Sequence, residues 1–386
     1  MLRHAFENIN VIELGGYIVG SYCGSLLADL GANVIKFEPL TGDGLRPQLG
    51  AFQGWNRGVK GVAVNLRTDE GKTILNKLAE KADVLVQNLR QGIAEQWEAD
   101  YASLSRINPG IVYWASPGYG QSGPYIEKPA FDPLLQARSG IMDAQGGTGS
   151  PPVYLRSSVC DYTGAMLGAF GVALALFNRV KTGKGQYLHS ALLNASIAAQ
   201  SGELLNYNGK KEEPRMEYWG KEATYRLYRT EDDWIFIGFE DDTSWLALCK
   251  ALDHEELTFA SEFDTPAKRR ANAAHLAQIL ESIFSRNTSQ HWLDLLERAE
   301  IPCSPVNYSR DLFTHPQILE NDLMFEHQTQ SLGPLKQQGM LIKLSETPGN
   351  LQRGAPGLGQ HTDEILAELG YSEGSIQQMR ENRIIL

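Results

Sequence analysis

The segment Asn10-Val11-Ile12-Glu13-Leu14-Gly15-Gly16-Tyr17-Ile18-Val19-Gly20 decides the reading of the fold. Asn10 to Leu14 reads as a buried strand, Gly15 and Gly16 as a tight turn, and Tyr22 to Leu30 as the helix that follows. Asn33-Val34-Ile35-Lys36-Phe37-Glu38 is the next strand, closed by Pro39. Outward from this unit the alternation repeats, with strands at Val62 to Leu66, Asp83 to Val86 and Ile111 to Ala115. Between them, Asp69 to Ala82 is a helix with acids at its start and Lys77 and Lys81 near its end, as the helix dipole favours. Such alternation predicts a mostly parallel sheet with helices on its faces.

The turn at Gly15 invites a dinucleotide-binding reading, and Glu38 ends the second strand where a ribose-binding acid would stand. The glycines do not follow the G-x-G-x-x-G pattern, and no Gly-Lys-Ser/Thr follows, so a plain tight turn is the alternative. Ser116 to Tyr125 is a glycine-rich loop directly after a strand, where α/β sheets bind ligands. Asn88 and Leu89 end another strand at the same edge, so the two loops are expected to line one cleft. Arg46, Arg57, Lys60 and Arg67 offer local positive charge for phosphates, against the alternative of a solvated basic face.

At 386 residues the chain is long enough for two domains at roughly 150 residues each. Apolar content of 42% and charged content of 21% are those of a globular protein. A net charge of −11 argues against a nucleic-acid binder. The four cysteines and eight histidines show no metal-ligand spacing, which points to a reducing compartment and no metal. The start of the chain has no apolar signal region, and Ala165 to Phe177 falls short of the roughly 20 residues that span a bilayer. The expected location is the cytoplasm, with no membrane partner.

From Gly202 to about Pro214 the chain turns polar and reads as a linker. Beyond it, Trp234 to Phe239 is a strand, Thr243 to Leu252, Lys268 to Phe284 and Ser289 to Ala299 are helices, and Ile301 to Val306 is a Pro-flanked strand. This composes a smaller α+β domain, followed by a tail ending in two short helices. The chemically suggestive stretch is Cys160-Asp161-Tyr162-Thr163-Gly164, where a carboxylate stands just before a long apolar helix. Gly164, Gly168 and Gly171 share one face of that helix, which predicts close approach to another element. Asp161 reads either as a nucleophile or as a helix cap.

Together these segments resemble the class III CoA-transferases, also called the carnitine dehydratase and bile-acid-inducible family. The resemblance rests on Leu26 to Pro39, Ala82 to Asn88, Gly118 to Pro124, Asp161 with its glycine helix, Lys181-Thr182-Gly183-Lys184-Gly185-Gln186, and Leu358-Gly359-Gln360-His361-Thr362. It covers nearly the whole chain. It implies a Rossmann-like large domain over 1–201, a small domain over 202–324 and a C-terminal return over 325–386. It also implies two chains threaded as interlocked rings in a homodimer. Asp161 matches the family's catalytic aspartate, and Ile18, Arg67, Asn88 and Leu89 fall on its CoA-binding positions. No cofactor is then tightly bound, and coenzyme A arrives as an acyl-CoA substrate with a carboxylic acid as the second partner. Asp161, at a helix start, is expected to stay ionised.

Two departures narrow the resemblance. The racemase branch carries a histidine in a Gly-His-Asp segment, and here the segment is Ala130-Phe131-Asp132. Phenylalanine moves no proton, so racemisation is disfavoured, while Phe131 and Asp132 remain candidate substrate contacts. The formyl-CoA branch carries a glycine-rich lid and a glutamine near the first turn, and this chain has Arg215 to Gly220 and Ile18 there. Tyr218 and Trp219 are the candidates to close over the substrate, against packing within the small domain. Four functions stay open: a CoA-transferase, an acyl-CoA isomerase of the same fold, a non-catalytic CoA- or nucleotide-binding protein, and a dinucleotide-dependent dehydrogenase, which the missing glycine pattern opposes.

Overall fold

A computed structural model describes residues 3–146, 150–210, 219–351 and 353–386. The chain divides into two compact units. One takes in Met1–Ile141, Leu155–Tyr207 and Phe313–Leu386, and the other Met142–Tyr154 and Asn208–Leu312. The segment Met142–Tyr154, read from sequence as part of the large domain, thus clusters with the smaller unit. The return to the large unit begins at Phe313, ahead of the expected 325.

In the first unit, β1 (Asn10–Glu13), α1 (Val19–Asp29), β2 (Asn33–Glu38), α2 (Leu49–Trp55) and β3 (Lys60–Ala63) come in succession. They are followed by α3 (Asp69–Ala79), β4 (Val84–Gln87), α4 (Ile93–Gln96), α5 (Tyr101–Ile107) and β5 (Val112–Ala115). Then come α6 (Asp132–Ser139), α7 (Ile141–Gly146), which beyond Ile141 belongs to the second unit, α8 (Val159–Thr182), β6 (Gln186–His189) and α9 (Leu192–Ala198). All six strands are parallel, in the order β3-β2-β1-β4-β5-β6. That is the order of dinucleotide-binding folds, with its switch point between β1 and β4.

The strands are apolar on both faces, as a sheet covered on both sides requires. Val11, Val34, Val84, Val86, Val112 and Trp114 face one core, shared with α1 and α8. Ile12, Ile35, Leu85 and Tyr113 face the other, with α3 and, from the end of the chain, the helices Thr362–Glu368 and Glu373–Glu381. Helix α3 starts as expected: the Thr68 hydroxyl accepts from the Gly71 N–H at 3.1 Å, with Asp69 and Glu70 in the first turn. The expected helix from Tyr22 begins three residues earlier, at Val19.

The second unit holds an antiparallel sheet in the order β10-β9-β8-β7, made of β7 (Gly220–Glu222), β8 (Tyr225–Arg229), β9 (Trp234–Gly238) and β10 (Cys303–Pro305). Leu276, Leu280, Phe284, Trp292 and Leu296 from its helices build the core over that sheet. The single long helix expected over Lys268 to Phe284 is two, Pro266–Ala271 and Ala273–Phe284. Asn272 breaks it: its side-chain amide donates to the Lys268 carbonyl at 3.0 Å and to the Glu262 carbonyl at 3.1 Å.

The glycine face of α8 meets what its spacing predicts. A Cβ on Gly168 would lie 2.4 Å from Trp114 Cζ2, and one on Gly171 would lie 2.7 Å from Leu188 Cδ1. Helix α8 runs 24 residues, about 36 Å at 1.5 Å per residue. By length and composition it is the one helix among the described residues able to cross a membrane, longer than the apolar run suggests. Its Gly164 and Gly168 face is buried within the unit.

Candidate active site

At the β1–β4 switch point the backbone after β1 turns through Gly15 and Gly16. Asn88 clamps that turn, accepting from the Gly16 N–H at 2.9 Å and donating to the Gly16 carbonyl at 2.8 Å. A Cβ at Gly15 or Gly20 would sit 2.9 Å from Asn88 Oδ1, so this closeness requires both glycines. Tyr17 follows in the left-handed region at φ 59°, a strained conformation for a bulky residue. The turn opens on a cavity of about 530 Å3, whose walls include Gly15, Gly16, Gly44, Arg67, Leu89 and Trp97.

Beneath the turn, Lys36 is fully buried. Its ammonium reaches Glu13 at 3.1 Å, Asp43 at 3.2 Å, the Gly15 carbonyl at 3.1 Å and the Ser21 hydroxyl at 2.9 Å. This network ties β1, β2 and the loop after β2 into one rigid floor. Three of the four basic residues read from sequence as phosphate ligands are committed elsewhere. Arg46 forks onto Glu38 and Arg57 onto Asp29, while Lys60 pairs with Glu364 at 2.6 Å. Arg46 also removes Glu38 from any ribose role. Arg67 is exposed at the cavity and is the cation of that set available to an anionic ligand.

Asp161 does not cap α8. It is the third helical residue, behind Ser158 as the N-cap, Val159 and Cys160. The cap is supplied from α6. Asp132 Oδ2 accepts from the Cys160 N–H at 2.7 Å and the Asp161 N–H at 3.2 Å. Asp132 is 3% exposed. Gln136, fully buried one turn along α6, donates to Asp132 Oδ1 and to the Leu155 carbonyl, and accepts from the Leu155 N–H. The pair pins the strand of chain entering α8 and with it the backbone of Asp161.

The half-buried Asp161 carboxyl is pushed up to about 7, first by burial and then by the Asp132 charge. The expectation of a fully ionised group is corrected on this ground: Asp132 occupies the helix N–H groups that would have stabilised the anion. Cys160 is a poor nucleophile, since burial pushes its thiol up to about 12. Tyr162 follows, accepting from the Trp55 indole N–H at 3.1 Å. Gly164, one turn on, lies against Val19, where a Cβ would be 3.0 Å from its methyl. The second turn of α8 therefore packs on the start of α1, the helix that follows the glycine turn.

A family model described as CoA-transferase family III matches residues 6–362. The chain belongs to CoA-transferase family III. It is 31% identical to human succinyl-CoA:glutarate CoA-transferase over 97% of this chain and 88% of that protein. It is 29% identical to a succinyl-CoA–D-citramalate CoA-transferase of Chloroflexus aurantiacus, over 98% of each chain. It is 30% identical to a succinyl-CoA:mesaconate CoA-transferase of Haloarcula marismortui, over 96% of this chain and 98% of that protein. The crystal structure of a CaiB/BaiF family protein from Brucella suis superposes with a TM-score of 0.88 at 28% identity, covering 95% of this chain and all of that one.

In this family III CoA-transferase the expected site residues are placed unevenly. Arg67 and Leu89 line the crevice and Asn88 shapes it. The Ile18 side chain is buried in the core, so the residue meets a ligand only through its backbone. Its neighbour Tyr17, which sequence reasoning passed over, is the exposed side chain of the turn and meets exposed Phe131 edge-on at 6.1 Å. The Ser116 to Tyr125 loop does not line that cavity. It folds onto α9 through Leu192 N–H to the Pro117 carbonyl and Leu193 N–H to the Gly118 carbonyl, both at 3.0 Å. Trp219 stacks on Trp234 at 5.2 Å within the second unit, and Tyr218 lies outside the described residues.

Proposed function

We propose that this enzyme transfers CoA from a short dicarboxylyl-CoA such as succinyl-CoA to a small dicarboxylic acid, through covalent intermediates on Asp161. The observation that carries the reading is Asp161 itself: a carboxylate of raised basicity, fixed in the first turn of α8, a helix that packs at Gly164 on the start of α1 just after the glycine turn. The names of the human, Chloroflexus and Haloarcula relatives support the donor and the acceptor class.

The Asp161 carboxylate attacks the thioester carbonyl, the tetrahedral adduct collapses, and the C–S bond breaks to release CoA thiolate. The thiolate attacks the aspartyl carbonyl of the resulting anhydride and the donor acid leaves as its carboxylate. The acceptor carboxylate then attacks the enzyme–CoA thioester, giving a second anhydride and thiolate. Thiolate attack on the acceptor acyl carbonyl forms the product thioester and returns Asp161. Each step exchanges one activated acyl group for another. Backbone N–H groups near the glycine turn suit the oxyanions, at about 3 kcal/mol per donor. Arg67 takes a phosphate of CoA, and the glycines of the turn let its chain approach. Phe131 stands where epimerisation would need a proton carrier, which supports transfer over isomerisation. The active form is taken to be a homodimer.

Intact-protein mass spectrometry after incubation with succinyl-CoA tests the reading on wild type and Asp161→Asn. A CoA adduct on wild type alone, cleared by a dicarboxylic acid, is the expected result. Turnover by the variant without an adduct on either protein would overturn it.

A further inference from the structure

Given Asp161 as the nucleophile, we infer that Asp132 is its positioning residue: it fixes the nucleophile's backbone, and its carboxylate opposes the Asp161 charge, so that acylation of Asp161 relieves a repulsion. Two observations independent of any titration carry this. First, Asp132 holds two consecutive backbone N–H groups, those of Cys160 and Asp161. Second, it is nearly sealed from solvent and is itself held by Gln136, whose other bonds grip Leu155. The Cys160 and Asp161 N–H groups and the Gln136 amide all donate to Asp132, whose two oxygens serve as acceptors.

The arrangement has a chemical consequence. A helix N-terminus ordinarily stabilises an anion in its first turn. Here a second carboxylate has taken those N–H groups, leaving Asp161 with repulsion in place of stabilisation. A free Asp161 anion is thereby raised in energy relative to its anhydride or thioester, both neutral at that position. The device favours the covalent states without touching the substrate.

The other charged or titratable groups around α8 do not offer the same field. Helix α1 presents Tyr22, Cys23 and the Arg57-bound Asp29, β6 presents Tyr187 and His189, and Tyr113 of β5 faces the opposite core. Helix α9 presents none, and Arg138 of α6 lies over the Tyr125 ring at 4.4 Å. On α8 itself, Cys160 is buried, Tyr162 is bonded to Trp55, and Arg179 and Lys181 stand at the far end. Burial and Asp132 are the causes acting on Asp161.

The test is Asp132→Asn, whose carboxamide oxygen accepts from the same N–H groups without the charge. The acidic limb of kcat/KM against pH is expected to move down by about one unit, and the fraction of enzyme held as the CoA adduct to fall about tenfold. Asp132→Ser, a smaller uncharged acceptor, is expected to move the limb the same way and serves if the first variant does not fold. Gln136→Met, which loosens the clamp but keeps both charges, is expected to lower kcat and leave the limb in place. A folded Asp132→Asn enzyme with the wild-type limb and adduct fraction would overturn the inference. The Asp161→Asn control separates this from failure of the nucleophile: adduct on that variant removes the reading beneath, whereas adduct on wild type alone with an unmoved limb removes only the role of Asp132.

Discussion

Asp161, the proposed nucleophile, is held at a cost to folding. Its carboxyl titrates near 3.8 in a free chain and near 7 in the folded protein, so between those values the native state keeps a proton that the unfolded state has lost. Stability therefore falls as pH rises from about 4 to about 7, and the full penalty applies above that. A shift of about three units corresponds to at most about 4 kcal/mol, and partial solvent contact reduces it to about half or less. Asp161→Asn is accordingly expected to be more stable than wild type by about 1–2 kcal/mol at about pH 8, and equal to it at about pH 4. Glu13 also titrates near 7 through burial, but it is common to both proteins and cancels in the difference. Urea unfolding at the two pH values measures this, and a variant less stable than wild type at about pH 8 would mean that Asp161 contributes to the fold.

At the scale of elements, the contact of α8 with β5 depends on an absent side chain. Trp114 is fully buried and its indole N–H donates to Ser190 at 3.0 Å, so it has no room to move from Gly168. Alanine at a helix interior ordinarily gains about 1 kcal/mol over glycine. At Gly168 the overpacking costs about 1–3 kcal/mol or more, since the added carbon meets the ring at 2.4 Å. Gly168→Ala is expected to lower the melting temperature, whereas Gly50→Ala on α2, with nothing within 4 Å, is expected to leave it unchanged or raise it. Equal melting temperatures for the two variants would show that the α8–β5 packing yields.

This glycine face was readable from spacing alone, as were β1, β2, β4 and β5, because runs of Val, Ile and Leu end at Gly, Pro or Asn. Strand β6 was not, since Gln186-Tyr187-Leu188-His189 is a short edge strand with polar ends. The hairpin of β11 (Met324–Thr329) and β12 (Gly333–Gln338) is polar and half-exposed and carries as little signal. Asp161 could be picked out by its glycine helix, but its cap could not. Asp132 lies 29 residues away along the chain and meets Asp161 only once α6 packs on α8. In the same way the acids that claim Arg57 and Lys60 come from positions 29 and 364. Long-range pairing decides which charges stay free, and local pattern does not contain it.

For the molecule as a whole, the side of α8 turned away from the sheet bears on assembly. Met166, Phe170, Leu174 and Phe177 recur at helical spacing and are exposed, Phe170 and Phe177 each at 63%. The stripe continues into an apolar cavity of about 340 Å3 walled by Phe6, Leu26, Met340 and Leu341 among others. An uninterrupted apolar face of this extent marks an interaction surface. A second copy of the chain is its proposed occupant, in keeping with the proposed homodimer, and an isologous contact would bury the same stripe from both sides. Phe170→Lys with Phe177→Lys places two charges at that contact and leaves the packed glycine face untouched. The double variant is expected to sediment as a monomer with the circular dichroism of the wild type, which itself sediments as a dimer. A double variant that remains a dimer would move the interface to another face. A monomeric wild type that cosediments with lipid vesicles would assign the stripe to a membrane surface instead.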